Sequence, residues 1–401
     1  NLIKGIKIKD KELKLTAYAD DLTIFLSDFD SSKPLVKNLI EFERMSWLRV
    51  NQSKTEIMGI GSTKNITELD TTWNNCHRGM KITGIFFTYD AEVRYKENFA
   101  LSLERLKFQL NMWKMRNLSL IGKIQIVKTF GISQLLYVSN MLDPPPKFID
   151  EAQTIIYNFI WKGKDKVKRN HLCGNLDQGG LKMIDLKVKI NTMRIMWIKR
   201  LVTNAMNPWT HIPKFWLEPF GGILIFHGCT SNMLIRQNKI PMFYRKCLIA
   251  WNEWQSKNKA NSWTEKLSQG IINNEYIKYQ GKCIFPKRLS TAGLNHVYNY
   301  FDLASGSLLS WENLVNKGVP KLAYLEWRVV CSALPREWKR GWDIVISEEQ
   351  VKNLVNSRFT KLTSKNVYKI LLEDKFETSS SEEKIQNKCE TVIQDFEEYY
   401  V

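Results

Sequence analysis

The stretch LKLTAYADDLTIFLSD, residues 13 to 28, places two adjacent aspartates inside an otherwise apolar, strand-like run. The β-prone residues on both sides of Asp20 and Asp21 predict two strands joined by a turn that carries the carboxylates. Two like charges side by side raise each other's pKa, and burial among apolar neighbours adds a desolvation cost. A bound cation offsets both costs, so the pattern indicates a cation site at the tip of a hairpin.

Magnesium is the cation that this arrangement favours. Mg²⁺ prefers oxygen ligands and needs few protein carboxylates when substrate phosphates complete its coordination. In a site with two such ions, the metals activate an attacking oxygen and stabilise the leaving oxygen of a phosphoryl transfer. The alternative is structural, because Asp is favoured in turns. The apolar flanks favour the functional interpretation, since an exposed hairpin does not need them.

The charge of the chain points to an anionic partner. Its 401 residues carry a formal net charge of +18, and nucleic acid is the first candidate for the partner of such a chain. The seven cysteines form no CxxC pair, which is typical of a reducing compartment, so we expect an intracellular protein of the nucleus and cytoplasm. No apolar run reaches the length of a transmembrane helix, so no membrane partner is expected.

The hydrophobic period divides the chain into a mixed first part and a helical remainder. Short strand-like runs and one helix, residues 31 to 46, fill the first 90 residues. From residue 91 the pattern is that of three helices, and the proline run DPPP separates the second from the third. The first of these helices has one apolar face, formed by Phe99, Leu103, Leu106 and Leu110. The fold class predicted by this pattern is α+β.

Four segments of this sequence, in one consistent order, resemble reverse transcriptases of the non-LTR (LINE-type) retrotransposon branch. YADD at 18 to 21, in its setting LKLTAYADDLTIFL, resembles the catalytic hairpin. LRVNQSKTEIM (48 to 58) is similar to the next palm motif, and ITGIFFTYD (82 to 90) resembles the strand motif that supports the primer end. The helices from 97 to 161 look like the thumb. The resemblance covers roughly residues 3 to 200 and is diffuse beyond them.

The resemblance implies a right-hand polymerase that copies template RNA into DNA from dNTPs, priming on a nicked DNA target. Asp20 would be a ligand of Mg²⁺ and Asp21 would support the same site, with two ions in the complete enzyme. Tyr18 would lie near the primer end and the nucleotide, and Gly84 would shape the primer-contacting strand. Lys54 matches a lysine proposed to protonate the leaving pyrophosphate. The alternatives are an ordinary turn lysine for Lys54 and a bulge glycine for Gly84.

Two groups of basic residues are candidates for nucleic-acid binding. In a polymerase thumb, basic residues of the helices would face duplex phosphates, although a solvated helix face is the alternative. The thumb group is Arg105, Lys107, Lys114, Arg116, Lys123 and Lys128. The second group, which predicts a flexible phosphate-binding loop, is Lys162, Lys164, Lys166, Lys168 and Arg169. Farther along, the pair Trp251 and Trp254 is compatible with either a core position or an RNA-facing one.

The resemblance also implies the domain organisation. In the family, a further metal-binding aspartate and the fingers precede the YADD hairpin, and this sequence contains neither. We therefore expect a fragment that does not polymerise alone. The predicted segments are 1–90, the C-terminal part of the palm with a small antiparallel sheet and a helix; 91–162, the helical thumb; 163–204, a basic connector and helix; 205–372, a mostly helical region; and 373–401, an acidic linker and the start of a further helix.

Two other functions remain open. A noncatalytic RNA-binding protein, decayed or domesticated from such an element, would share the fold and the charge. An RNA-dependent RNA polymerase also places paired aspartates in a hairpin. The order of NQSKT, ITGIFF and the thumb-like helices disfavours this last function.

Overall fold

Short hairpins come first along the chain and longer helices follow, as the change in hydrophobic period predicts. The computed structural model describes residues 3–63, 73–204, 206–230, 232–236, 238–258, 262–339 and 346–377. The chain divides after Lys162 into two units. This division lies where the sequence predicts the thumb-like helices to end and the basic connector to begin.

Unit 1 holds eight short strands and six α-helices among its described residues. The strands are β1 Ile6–Ile8, β2 Lys11–Leu13, β3 Leu15–Tyr18, β4 Asp21–Ile24, β5 Glu56–Ile57, β6 Asn74–Asn75, β7 Met80–Ile82 and β8 Ile85–Phe87. The helices are α1 Ser32–Ser46, α2 Ala91–Arg94, α3 Leu101–Lys114, α4 Leu120–Ile126, α5 Ile132–Met141 and α6 Pro146–Trp161. α2 continues into α3 through a π-helical turn, Tyr95–Ala100, and α4 continues into α5 through another, Val127–Gly131.

The strands pair two by two, and no larger sheet forms among the described residues. The prediction of one small antiparallel sheet is therefore wrong, and the pair of β5 with β6 is parallel. One reason is visible at β8, where the side-chain amide of Asn98, rather than another strand, bonds the backbone of Phe86. Helices with small strand pairs are nevertheless compatible with the predicted α+β class.

The core of unit 1 lies between α3, α5 and α6. The apolar face predicted for the first long helix is confirmed, because Phe99, Leu103, Leu106 and Leu110 are all buried. Burial of each such side chain contributes about 1.5–3 kcal/mol. Gly131, at the end of the π-helical turn Val127–Gly131, lets this turn approach α3 closely. A Cβ at this position would lie 3.0 Å from Leu106 Cδ1 of α3.

Unit 2 is mostly helical, with two short hairpins. Its helices are α7 Arg169–Cys173, α8 Leu186–Thr203, α9 His211–Leu217, α10 Asn232–Ile235, α11 Met242–Lys257, α12 Trp263–Leu267, α13 Lys287–Thr291, α14 Trp311–Asn316, α15 Tyr324–Ala333, α16 Glu348–Thr360 and α17 Ser364–Glu377. Its strands are β9 Lys278–Tyr279, β10 Lys282–Cys283, β11 Phe301–Asp302 and β12 Ser307–Leu308. α17 extends into the predicted acidic linker, and residues 378–401 of that segment lie outside the described residues.

The packing of α8 against α11 and α17 forms one core of unit 2. Trp251 and Trp254 of α11 are buried there, which decides between their two interpretations in favour of the core. The Trp251 ring stacks on Phe359 of α16, with ring centroids 5.7 Å apart and planes 12° from parallel. In the part of the chain that the structure describes, every helix is too short or too polar to cross a lipid bilayer.

A buried polar cluster connects α16 to the loops of unit 2. His227 Nδ1 and His296 Nε2 lie 3.0 Å apart, within hydrogen-bond distance, so one neutral ring donates to the other. Arg358 donates to the backbone carbonyl of His227, and its Nη2 donates to Gln255 Oε1 at 3.0 Å. Burial is the main cause that lowers the pKa of His227 to about 3 and that of His296 to about 4, and the charge of Arg358 acts in the same direction.

This cluster predicts that unit 2 loses stability in mild acid. Both histidine pKa values are lowered in the folded unit, whereas the unfolded chain protonates near 6.5. The contribution is therefore fully present above pH 6.5 and is lost as the pH falls from 6.5 towards 4. We expect a loss of up to about 1.4 kcal/mol per pH unit for each histidine, measured by hydrogen exchange of α11 and α16 amides. A His227→Gln/His296→Gln variant that kept the same slope would contradict the assignment.

Candidate active site and nucleic-acid surface

The YADD residues form the tip of the hairpin β3–β4, as predicted. The antiparallel register pairs Tyr18 with Asp21, so the turn consists of Ala19 and Asp20 alone. Ala19 has a φ of 53°, a region that costs a non-glycine residue about 1–2 kcal/mol. A positive φ at the first turn residue only is the pattern of a type II′ turn, which matches the twist of the strands that it joins. The sequence thus accepts backbone strain to hold two carboxylates at a tight turn.

The carboxylates of Asp20 and Asp21 are accessible to a ligand. Asp20, Asp21 and the Tyr18 ring are all exposed, and the described residues offer neither aspartate an ion pair or side-chain hydrogen bond. Both faces of the hairpin are open, because Leu15 and Leu22 on one face and Tyr18 on the other are exposed. Within the described residues no group of three His, Cys, Asp or Glu side chains could hold a metal ion. The hairpin therefore offers two carboxylates to a cation and leaves its remaining coordination positions to other groups.

The base of the hairpin is anchored to the start of α1. Asp28 Oδ1 accepts hydrogen bonds from the hydroxyl and the backbone N–H of Ser31, at 2.6 and 3.0 Å. Its Oδ2 lies 2.9 Å from Lys4 Nζ, and the backbone N–H of Lys4 donates to Ser31 Oγ at 2.9 Å. The Ser31 hydroxyl, followed by Lys4, lowers the pKa of Asp28 to about 2. This network holds the base of the hairpin while its tip stays exposed.

Lys54 ends a short 3₁₀ turn, Gln52–Lys54, and one residue, Thr55, separates this turn from β5. Asn51 caps the turn, since its Oδ1 accepts from the Lys54 backbone N–H at 3.2 Å. The Lys54 side chain is exposed, and no hydrogen bond or ion pair among the described residues joins it to Asp20 or Asp21. The structure therefore leaves Lys54 accessible without bringing it into contact with the carboxylates.

Gly84 lies in a second tight hairpin rather than in a bulge. Thr83 and Gly84 connect β7 to β8 with φ values of 45° and 85°, which is the pattern of a type I′ turn. A positive φ is unusual for a β-branched residue, so Thr83 needs support from its surroundings. The Tyr137 hydroxyl of α5 supplies it by donating to the Thr83 carbonyl.

A single buried asparagine joins this hairpin to the long helix. Asn98 Oδ1 accepts from the Phe86 backbone N–H at 2.9 Å, and its Nδ2 donates to the Phe86 carbonyl at 2.8 Å. The same Nδ2 donates to the Arg94 carbonyl at 3.0 Å, within the helix. The π-helical turn makes this contact possible, because it buries Asn98 and the adjacent Phe99 together.

The hairpin and the helix together enclose a groove of about 820 Å³. Gly84 and Arg105, which the sequence predicts as primer-contacting and phosphate-binding residues, both line it. Phe108 and Met112 follow one another by one turn of α3, and their side chains add exposed apolar surface to the groove. The groove therefore combines apolar side chains with two cations, Lys81 and Arg105, and two carboxylates, Glu97 and Glu104.

The other predicted thumb residues differ in their availability. Lys107, Lys114 and Arg116 are exposed, and Lys128 is half-buried. Lys123 Nζ donates to the Ile160 carbonyl at 2.8 Å, at the C-terminal end of α6. A cation at this end is stabilised by the helix dipole, so Lys123 has a structural contact of its own.

The basic loop after α6 is exposed but not wholly irregular. Lys162 is in the left-handed conformation, with a φ of 56°, and ends α6. Lys164, Lys166 and Lys168 are exposed, whereas Arg169 begins α7 and pairs with Asp165 at 2.8 Å. Of the five predicted cations, the four lysines therefore form the open part of the loop.

Sequence reasoning did not find Asn98 or Tyr137. Neither residue carries a spacing signal, because each acts by a hydrogen bond to the backbone of a distant hairpin. The available signal was an asparagine next to Phe99, at the start of the predicted apolar helix face. A polar side chain that is buried there requires hydrogen-bond partners.

Comparison with known proteins places this chain near a transposon product. No protein-family profile matches the chain. Over 264 residues, which are 62% of this chain, it is 25% identical to the transposon TX1 uncharacterized 149 kDa protein of Xenopus laevis. The matched region spans 20% of the length of that protein. The similarity supports a transposon-related protein.

The Asn98 contact generates a prediction about the stability of unit 1. Asn98→Ala leaves the Phe86 N–H and carbonyl without their side-chain partners, so we expect a loss of about 2–3 kcal/mol in the free energy of unfolding. Urea denaturation measures the loss. Asn117→Ala, an exposed asparagine between α3 and α4, is the matched control and should change the stability by less than about 0.5 kcal/mol. Equal effects of the two substitutions would refute the role of Asn98.

Proposed function

We propose that this chain supplies the metal-binding hairpin and the duplex-binding helices of an RNA-directed DNA polymerase, a reverse transcriptase of the non-LTR retrotransposon type. The observation that carries the proposal is the tip of β3–β4, where two adjacent, exposed carboxylates are held by a strained two-residue turn. The similarity to a transposon protein supports the class. The net charge of +18 suits a chain that binds template RNA and primer DNA.

Asp20 and Asp21 are the residues that would hold Mg²⁺. Their fit is that of a partial ligand set, since both are exposed and neither has a basic partner among the described residues. Mg²⁺ bound there would neutralise nucleotide phosphates and make the attacking hydroxyl more acidic. The phosphates of a dNTP and a carboxylate supplied from outside the described residues would complete the coordination.

Two neighbouring side chains have proposed roles in the same reaction. Tyr18 pairs with Asp21 across the hairpin, so its exposed ring would lie against the nucleotide or the primer end. Lys54 Nζ would donate a proton to the leaving pyrophosphate, for which its exposure is a requirement. This role would require the substrate to bring the lysine and the carboxylates to one place.

The groove beside Gly84 is the proposed seat of the template–primer duplex in unit 1. The Thr83–Gly84 turn would support the primer strand, and Arg105 would bind a phosphate at the opposite wall. The exposed cations Lys107, Lys114 and Arg116 would extend the phosphate contacts along α3.

A noncatalytic RNA-binding protein is the second candidate. It is favoured by one observation, namely that Lys107, Lys114 and Arg116 are exposed and can bind phosphates without a metal. The basic surface would serve this function unchanged. The two candidates differ in whether the aspartates matter for anything other than folding, and the next experiment separates them.

The catalytic proposal predicts a separation of synthesis from binding. In a longer, active polypeptide that contains this chain, Asp20→Asn should lower Mg²⁺-dependent primer extension on the order of a thousandfold, because the metal loses a ligand. RNA affinity should stay nearly unchanged, since it depends on the Lys and Arg surface.

The matched control for this experiment is Asp10→Asn. Asp10 is an exposed aspartate close to Lys11 in the β1–β2 hairpin and should not affect extension. Near wild-type extension by Asp20→Asn would remove the catalytic assignment and leave the RNA-binding candidate.

The basic loop predicts a change in salt dependence. Lys164→Gln/Lys166→Gln should weaken duplex binding and lower the slope of log K against log salt by about 1.8, which is 0.9 for each phosphate that the variant no longer neutralises. Fluorescence anisotropy of a labelled duplex over a range of KCl concentrations measures the slope. The control is Lys361→Gln/Lys365→Gln, which removes two exposed charges from unit 2. If both variants have the wild-type slope, the loop is a solvated surface.

A further inference from the structure

A second surface with the properties of a nucleic-acid site lies in unit 2, on elements that the proposed polymerase function does not use. Three segments meet there: the hairpin β9–β10, the start of α13, and the 3₁₀ turn Lys321–Ala323 with α15. β9 packs against α15, and α13 packs against both α15 and the turn. We refer to this region as the α15 surface, formed by Tyr279, Lys282, Arg288, Lys321, Leu325 and Arg328.

The placement of the α15 surface is set by hydrogen bonds to α13. Arg288 Nη1 donates to the Leu322 carbonyl at 3.4 Å. Glu326 Oε2 accepts from the backbone N–H groups of Arg288 and Leu289, at 2.9 and 3.1 Å. The first turn of α15 therefore holds the start of α13, and the basic residues of the two helices are kept on adjoining parts of one surface.

The charge of the α15 surface is of one sign and is not neutralised within the protein. Lys282, Lys321 and Arg328 are exposed and make no ion pair among the described residues. The three segments contain one acidic residue, Glu326, and its carboxylate is occupied by the α13 amides. Glu275, just before the hairpin, is paired with Lys278. An anionic partner would therefore meet cations with no competing carboxylate.

Apolar side chains lie between these cations. Leu325 and Arg328 follow the spacing i, i+3, which places them on one side of α15, and Lys321 lies in the 3₁₀ turn that leads into this helix. Leu325 and the neighbouring Leu322 are 74% and 78% exposed, although leucine is usually buried. The Tyr279 ring of the hairpin is also partly exposed. A purely polyanionic partner would leave this apolar area in contact with water.

We propose that the α15 surface binds single-stranded nucleic acid. A single strand presents phosphates for the lysines and arginines and unpaired bases for the apolar and aromatic side chains, whereas a duplex hides its bases. An anionic lipid surface also combines negative charge with apolar groups, so the experiment includes it as a competing outcome. This proposal does not depend on the metal-binding hairpin or on synthesis.

The test compares two matched double variants of the full 401-residue chain. The surface variant is Lys321→Gln/Arg328→Gln, and the control is Lys361→Gln/Lys365→Gln, which removes two exposed charges near the end of α16 and the start of α17. Fluorescence anisotropy with a labelled single-stranded oligonucleotide, and with a duplex of the same sequence, measures affinity over a range of KCl concentrations. Circular dichroism establishes that each variant is folded.

We expect the surface variant to bind the single strand about tenfold more weakly than wild type, with a salt slope reduced by about 1.4. Leu325→Ser should weaken single-strand binding by about threefold without a change in slope, because it removes a base contact and no charge. Duplex binding should be affected less than single-strand binding by both.

Three results would overturn the proposal: equal single-strand affinities of the surface and control variants, equal losses for single strand and duplex, or an effect limited to flotation with phosphatidylserine vesicles. The polymerase proposal can fail separately, because Asp20→Asn is measured by primer extension and these variants by binding alone.

Discussion

The pairing of the Asn98 side chain with the backbone of Phe86 is the contact on which unit 1 depends. One buried amide takes the place of a neighbouring strand, because its oxygen and nitrogen satisfy both the N–H and the carbonyl of the same residue. A short two-stranded hairpin is marginally stable by itself in water. Its attachment to a long helix, with Tyr137 holding the other side of the turn, gives the proposed primer groove a defined wall.

The β3–β4 hairpin shows a different balance between rigidity and access. Its base is fixed by the network of Asp28, Ser31 and Lys4, whereas its tip has no partner among the described residues. The carboxylates stay hydrated at the tip, so their mutual repulsion is screened by water in the absence of a cation. The tight Ala19 turn places both residues at the exposed tip, where a cation that would offset their charge can reach them.

Unit 2 carries positive charge both in its buried interior and on its surface. Arg358 is buried against neutral hydrogen-bond acceptors, and no carboxylate of the described residues pairs with it. Burial, with the charge of Arg358 acting in the same direction, lowers the pKa of the two histidines beside it and keeps them neutral. On the surface, the few carboxylates near α15 are used for structure, so the cations there remain available to an anion. The buried Arg358 therefore contributes to the internal structure of unit 2, whereas the exposed cations near α15 can contribute to binding.

Local patterns in the sequence determined the elements and their order. The alternation around Asp20 and Asp21 predicted their hairpin, the spacing of Phe99, Leu103, Leu106 and Leu110 predicted a buried helix face, and the prolines predicted the end of a helix. These predictions succeed because strand and helix periods are properties of neighbouring residues. The roles of the aspartates and of Lys54 stay predictions, because they require a substrate.

Tertiary structure alone decided that the strands remain in pairs, that Trp251 and Trp254 are core residues, and which cations have no structural contact of their own. Asn98 replaces a strand, Lys123 bonds the end of α6, and Arg169 pairs with Asp165 because of the positions of distant or locally folded partners. Hydrogen bonds to backbone groups leave no periodic trace in a sequence, since almost any residue provides the same carbonyl or amide. The sequence therefore determined where the candidate chemistry lies, and the packing of the chain decided which side chains can take part in it.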